Sequence, residues 1–272
     1  VIDAGKLNKN LDGEDDVVIL GDLSITGHDL SVTANNIWIG QRVELQEDYV
    51  EIGGVVYEIL VPVIVSIPTV VSTSFTSGAG DINLTGFRIS LGTGAQLLAD
   101  GATNDISSSG DITIKAMDES ALVTPLVDVD VSNVHVIISE DAVVSGRDVT
   151  ILASADNRRL YAEDGTMTGT AADLIGSLFE SFTAIGGAIA VVKGDASIAI
   201  GAGSEISARD FKADASVYAD VKAVPFLEFG VAPAIGVAVT NAEVNVAGAI
   251  NATGNAEFRT HTDHSMNVVA DT

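Results

Sequence analysis

The chain has 272 residues, of which 38 are acidic and 13 basic, for a formal net charge of −25. That balance repels phosphate backbones and anionic membrane surfaces alike, which sets a nucleic-acid partner aside. With 47% apolar residues and a positive mean hydropathy, the sequence can bury a core rather than stay disordered, and the absence of cysteine removes disulfides and thiol chemistry. Aromatics are scarce and Val, Ile, Ala, Gly, Asp, Ser and Thr dominate, a mixture that suits narrow stacked sheets. Val1 opens the chain without an initiator Met or an apolar leader, so it reads as a mature product or a piece of a longer one.

The first stretch places Asn8, Asn10, Asp12 and then Gly13, with Asp16 further on, in the order of the first half of a calcium loop. The bidentate Glu of such a loop is replaced by Ile19, which leaves a solvated acidic turn as the plainer reading. Calcium, held by Asn8, Asn10, Asp12 and Asp16, is the one cofactor that this turn and the net charge point to. From Gly21 a clean alternation begins, with Leu23 and Ile25, then Leu30 and Val32, between polar residues. Alternation of period two predicts strands.

Residues 50–75 are the most apolar part of the chain. Pro62, Pro68, Glu58 and the valine content oppose a transmembrane helix there. The segment reads instead as an irregular insert of strands, buried or presenting an adhesive edge, with the prolines at strand ends, corners or an edge. Its exposed-edge form makes Val55, Val56, Val61, Ile64, Ile67 and Val70 the candidates for self-association.

After Gly80 the alternation resumes through Ile82 and Leu84, then Phe87, Ile89 and Leu91, with a Gly-Thr-Gly corner before Leu97. Residues 99–109 read as a loop excursion, and Ile112 to Ala116 restores the strand. A Gly-Asp pair precedes four of these runs, at Gly21, Gly80, Gly110 and Gly194. Glycine is expected there to supply corner backbone angles and Asp to accept from nearby amides.

The clearest signal is a repeat. With a constant offset of 62, Val136 falls on Ile198, Ile138 on Ile200, Val144 on Ile206, Arg147 on Arg209, Asp148 on Asp210 and Val149 on Phe211. A third copy follows, in which Ala196, Ile198, Ile200 and Ile206 correspond to Ala242, Val244, Val246 and Ile250, with the corner before Ile250 shortened. Between the first two copies, Leu174, Ile175, Leu178, Phe179 and Phe182 recur at helical spacing after Thr170, predicting a short amphipathic helical insert over 170–182. Such repeats are supersecondary units that bury their apolar faces only by stacking. The expectation is one β-solenoid domain over 1–272, mostly parallel, of roughly ten rungs and about 50 Å in length. Both ends of such a stack present unpaired strand groups, so the chain is expected to associate with itself or with neighbouring repeats.

The unit AxIxI, GxGSxI and a GRDV or ARDF step, carried by residues 133–154 and 185–270 and more loosely by 21–40 and 80–116, resembles the repeats of large exported bacterial surface proteins of the filamentous-haemagglutinin-like adhesin class. The resemblance covers a little over half the chain. It implies a right-handed parallel β-helix outside the cell or on its surface, serving as a stalk, fibre or matrix component that contacts a glycan or a cell surface.

Parallel β-helices also host polysaccharide lyases and hydrolases, so a carbohydrate-active enzyme is the rival class. Asp128 and Asp130, two apart on one strand, are the best carboxylate pair for such chemistry. The plainer reading makes them an outward polar face opposite inward Val127, Val129 and Val131. Arg158-Arg159 is the only adjacent cationic pair, and His261, Asp263 and His264 the only histidine cluster, with at most two ligands on one strand face. GxSxG, HExxH, P-loop and CxxC motifs are absent, and the reading is a non-enzymatic protein.

Overall fold

The computed structural model describes residues 2–3, 16–52, 55–74, 79–99, 109–118, 127–157, 188–223 and 234–268. The alternating runs are strands, and they recur in a fixed cycle. After β1 (Ile2–Asp3), a first turn takes β2 (Asp16–Ile19), β3 (Leu23–Thr26) and β4 (Leu30–Thr33), one strand for each of three sheets. The second turn takes β5 (Asn36–Ile39), then an antiparallel hairpin of β6 (Gln41–Ile52) and β7 (Val55–Ser66), then β8 (Val70–Ser74) and β9 (Ile82–Gly86). The third turn is β10 (Arg88–Leu91), β11 (Gln96–Leu98) and β12 (Ile112–Asp118), and the fourth β13 (Val127–Ile138), β14 (Val143–Ser145) and β15 (Asp148–Asn157). The fifth is β16 (Ala188–Ile200), β17 (Glu205–Ala208) and β18 (Asp210–Ala223), and the sixth β19 (Ala234–Val246), β20 (Ala249–Ala252) and β21 (Ala256–Val268).

Stacking these turns gives a first sheet of order β19-β16-β13-β10-β5-β2, a second of order β20-β17-β14-β11-β8-β3 and a third of order β1-β4-β9-β12-β15-β18-β21. Every pairing within the three is parallel, for example Val136 beside Ile198, Ile206 beside Ile250 and Asp148 beside Asp210. The offset-62 repeat is therefore a spatial register, and so is the shortened third copy. The architecture is all-β with parallel sheets, compatible with a β-solenoid. Six turns are present among the described residues where about ten were expected. A turn consumes three strands plus the segments between them, so Ile89 lies on Ile37 and Ile198 on Val136 only after long intervals. At the usual strand spacing, six turns rise about 25 Å, half the length expected.

The core consists of columns, one residue per turn. On the first sheet Ile37, Ile89, Val136 and Ile198 stack, on the second Val71, Leu97, Val144 and Ile206, and on the third Ile82, Ile112, Val149 and Phe211, all of them buried. Along the repeat, Ile138, Val144, Val149, Ile151, Ile198, Ile200, Ile206 and Phe211 are buried, while Val244 and Ile250 are half-buried. Val246 is 41% exposed because it belongs to the last described turn, with nothing stacked beyond it. Column volume is conserved across the last pair of turns: Phe211 lies on Ala256 and Ala213 on Phe258, with the two rings 5.4 Å apart. The first and third sheets extend past this three-sided section and face each other, closing a second small core of Val192, Ala219 and Val221.

Of the Gly-Asp pairs, Asp22 and Asp81 accept from backbone amides as expected, while the glycines serve a different purpose from the one expected. Left-handed backbone occurs at Gly27, Gly40, Gly94, Gly203 and Asp141, not at Gly21, Gly80, Gly110 or Gly194. At Gly110 the constraint is close approach, since a Cβ there would lie 2.2 Å from the Gly80 carbonyl oxygen. Gly194 is no corner at all and sits inside β16. The Gly-Thr-Gly corner does behave as read, with Gly94 at φ 72°. Of the loop expected over 99–109, residues 100–108 lie outside the described residues; beside it the Gly110 N–H donates to the Ala99 carbonyl at 2.7 Å.

No helix occurs among the described residues, and hence none long and apolar enough to cross a membrane; the helical segment expected at 170–182 lies outside them. The apolar stretch 50–75 divides in two. Its first part completes a regular hairpin that starts earlier, at Gln41, and its second part, from Val70, is a body strand with Val71 buried in the core. Pro62 lies opposite Leu45 in a two-stranded ribbon, where every strand is an edge, and Pro68 lies in the link from β7 to β8, as the missing N–H requires.

This column packing predicts a graded response to truncation. Ile198→Ala, in a column covered on both sides, is expected to cost about 2–5 kcal/mol, and Val246→Ala, on the open last turn, less than about 1 kcal/mol. Denaturant melts of the two variants measure the difference. Equal losses would show that the last turn is covered.

Candidate functional site

The register brings together one cluster of charges that belongs to all six turns. In the third sheet Leu30, Ile82, Ile112, Val149, Phe211 and Ala256 stack. The residues immediately before them are Asp29, Asp81, Asp111, Asp148, Asp210 and Asn255, a column of five carboxylates and one amide along the edge where the chain enters that sheet. Three of the carboxylates cap the backbone of a neighbouring turn. Asp29 accepts from the Asp81 N–H at 3.0 Å, Asp81 from the Asp111 N–H at 2.9 Å, and Asp210 from the Asn255 N–H at 2.8 Å.

Carboxylates one strand spacing apart repel, and two arginines from the preceding column offset this in the middle of the stack. Arg147 makes a bidentate contact to Asp111 at 2.8 and 2.7 Å and approaches Asp148 at 4.0 Å. Arg209 donates to Asp148 Oδ2 and reaches Asp210 at 3.2 Å. The hydrogen bond and charge of Asp111 raise the pKa of Arg147 above its ordinary value. The backbone hydrogen bond from Asn255, followed by Arg209, lowers that of Asp210. Asp148 Oδ1 is buried without a hydrogen-bond partner; the remaining contacts of the column join neighbouring turns, and its chemistry is cohesion between them.

A second polar cluster lies on the outer face of the third sheet, in the last two turns. Tyr218 and His261 have ring centroids 5.5 Å apart, and with Asp214, Phe258, Arg259 and Thr260 they line a shallow depression. Its charges are locally engaged: Asp214 pairs with Lys212 at 3.2 Å and Arg259 with Glu257. His261, Asp263 and His264 are exposed, with Asp263 beside Tyr218 and His264 beside Ala219 in the register. His261 and Asp263 are two apart on one face, as expected, and no third ligand joins them: among the described residues no three acidic or histidine side chains converge as a metal site requires.

Asn8, Asn10 and Asp12 of the candidate calcium turn lie outside the described residues, as do Arg158 and Arg159. Asp16 Oδ1 accepts from the Asn36 side chain at 2.7 Å and its N–H at 3.2 Å. Asp128 and Asp130 fall on β13, where only their backbone is described. The assignment of Val131 to the inward face is corrected, because it is 44% exposed. The buried Ser132, Val134, Val136 and Ile138 fix the opposite parity on that strand, and a slip of one residue exchanges the faces. Of the self-association candidates, Ile64 is 59% exposed, Val61, Ile67 and Val70 are half-buried, and Val55 and Val56 are placed by backbone pairing to Ile52 and Glu51.

Comparison of the chain with protein-family models, with curated proteins and with solved structures found no match.

The aspartate column yields two measurable consequences. A carboxyl whose folded pKa is depressed contributes stability that is present above its unfolded pKa and is lost as pH falls through the folded value. Starting from an ordinary value of 3.8, Asp210 is expected to lose its contribution as the solution is acidified below about pH 4. Asp210→Asn keeps the acceptor oxygen and removes the charge, so its melting temperature is expected to fall below that of the parent at pH 7 and to converge with it as the pH falls through the folded pKa. Arg147→Gln is expected to cost about 1 kcal/mol, since the pair is one-third exposed, with a smaller loss in 1 M NaCl. A salt-independent loss would assign the effect to packing.

Proposed function

We infer that the chain is a structural segment of an exported bacterial surface protein: a right-handed parallel β-helix that spaces or displays other parts outside the cell and carries no catalysis. Right-handedness is the hand that parallel crossover connections take almost without exception. The repeat unit resembles that of filamentous-haemagglutinin-like adhesins, and the observation that favours a structural role is the engagement of the charges. The carboxylates of the aspartate column hold backbone amides or arginines, whereas a glycosidic centre needs two carboxyl groups facing one substrate bond. In this reading neighbouring repeats, or copies of the chain, continue the three sheets beyond β2 and β3 at one end and the β19 to β21 turn at the other.

The depression at Tyr218 and His261 is the observation that favours the rival, a carbohydrate-active enzyme, since an aromatic platform beside a carboxylate and a guanidinium matches the polar and apolar faces of a sugar. Two measurements separate the readings. An antibody to the chain is expected to label intact source cells without permeabilisation, and labelling only of opened cells would defeat the surface assignment. Incubation with neutral and acidic polysaccharides is expected to release no new reducing ends and no unsaturated products. Turnover abolished by His261→Ala would replace the structural reading with the enzymatic one.

A further inference from the structure

The hairpin of β6 and β7 carries an exposed apolar face, and we propose that this face docks against the same face of a second copy of the chain to form a two-fold dimer. Residues directly opposite in an antiparallel pair lie on one face. The pairing sets Glu47 opposite Leu60, Leu45 opposite Pro62 and Val43 opposite Ile64. Along β7 exposure alternates. Leu60 and Ile64 are 60% and 59% exposed with Pro62 exposed between them, whereas Val61, Val63 and Val65 are half-buried. On β6, Tyr49, on the face of Leu60 and Ile64, is 62% exposed, while Arg42 and Gln46 are exposed on the other face. The ribbon thus turns Tyr49, Leu60, Pro62 and Ile64 to solvent and its smaller valines the other way, the reverse of what a solvent-facing ribbon needs.

Two-stranded ribbons are marginal in water without a surface to pack on. The described hydrogen bonds between this ribbon and the body lie at its base, where the Ile67 N–H donates to the Gly40 carbonyl at 2.7 Å, the Thr93 N–H to Ser66 Oγ at 3.4 Å and Gln41 Nε2 to Ser90 Oγ. Two strands of 12 residues, at a rise of about 3.3 Å and a spacing of about 4.8 Å, offer a face of roughly 40 by 10 Å. Two such faces cover roughly 800 Å² in flat projection, the size of a weak, transient contact rather than of a stable interface. A face meeting itself across a two-fold axis closes the contact at two copies. An anionic lipid surface is the poorer occupant, because the chain carries a net charge of −25 and Glu47 lies exposed on the face itself.

The dimer is therefore weak and opposed by like charge, so salt strengthens it by screening. Sedimentation equilibrium of the 272-residue chain from about 1 to about 500 µM is expected to show a monomer–dimer equilibrium in the micromolar range. It should tighten between 20 mM and 300 mM NaCl. Leu60→Glu and Ile64→Glu are each expected to raise the dissociation constant at least about tenfold, with the circular dichroism of the body unchanged because neither residue belongs to the core. The chain has no cysteine, so a single introduced thiol can bridge only two copies. Oxidation of Glu47→Cys is expected to give a covalent dimer and Gln46→Cys, on the other face, is not. A monomer mass at every concentration, a dimer indifferent to Leu60→Glu and Ile64→Glu, or equal bridging by the two cysteine variants would each overturn the proposal. None of these outcomes bears on whether the chain belongs to a surface protein.

Discussion

Parallel stacking at one strand spacing ties each turn to the turn before it. A residue on an inward position has one neighbour above and one below, so its size and polarity are constrained by its column as well as by its own strand. The Ile37, Ile89, Val136 and Ile198 column is uniform for that reason. Where the size changes, as from Phe211 to Ala256, the adjacent column changes in the opposite sense, from Ala213 to Phe258. Burial is complete where a column is covered on both sides and partial at the first and last described turns, which is how Val17, Leu23, Val244 and Ile250 come to be half-buried while carrying the same residue types as the core.

The same stacking creates the main electrostatic tension in the molecule. A residue type favoured once for capping a strand entry is repeated at each turn, so its charge accumulates along the edge. Asp29, Asp81, Asp111, Asp148 and Asp210 are each useful as acceptors and collectively repulsive. Arg147 and Arg209, one residue earlier on successive turns, lie between the carboxylates of the middle turns. At the last turn Asn255 keeps the side-chain shape without the charge. Cohesion along this edge is thus conditional on ionisation, whereas the apolar columns are indifferent to it.

Insertions leave from the corners, where the ladder is already interrupted. The hairpin departs between the first and second sheets of the second turn, framed by Gly40, and the body resumes at Val70, with Val71 in register between Leu23 and Leu97. A corner tolerates such an insertion because the strands that flank it keep their own stacking partners. The hairpin itself obeys a different rule, antiparallel and two-stranded, and its apolar residues were legible as an anomaly in the sequence. Their location on one exposed face was not, because face assignment in a ribbon depends on the register with its partner, and the strand β6 that supplies the register is far more polar than β7.

What the sequence by itself determined is what depends on local pattern and self-similarity. Alternation of period two specified strands, the offset of 62 specified which residues share a column, and the third copy was visible with its shortened corner, because stacked positions must carry matching side chains. Tertiary structure alone decided the number of turns, the parity of the stretch before Val134, and the aspartate column. The Gly-Asp pairs at 21, 80, 110 and 194 look alike as dipeptides. Yet only Asp81 and Asp111 belong to the column, in company with Asp29, Asp148 and Asp210, which follow histidine or arginine. Asp22 instead accepts from the Val70 N–H, and Asp195 from Asn241 inside the first sheet. What unites the column is the inward apolar residue that follows each Asp, and which of those residues stack is set by pairing between strands 30 to 60 residues apart, a distance over which no local propensity acts.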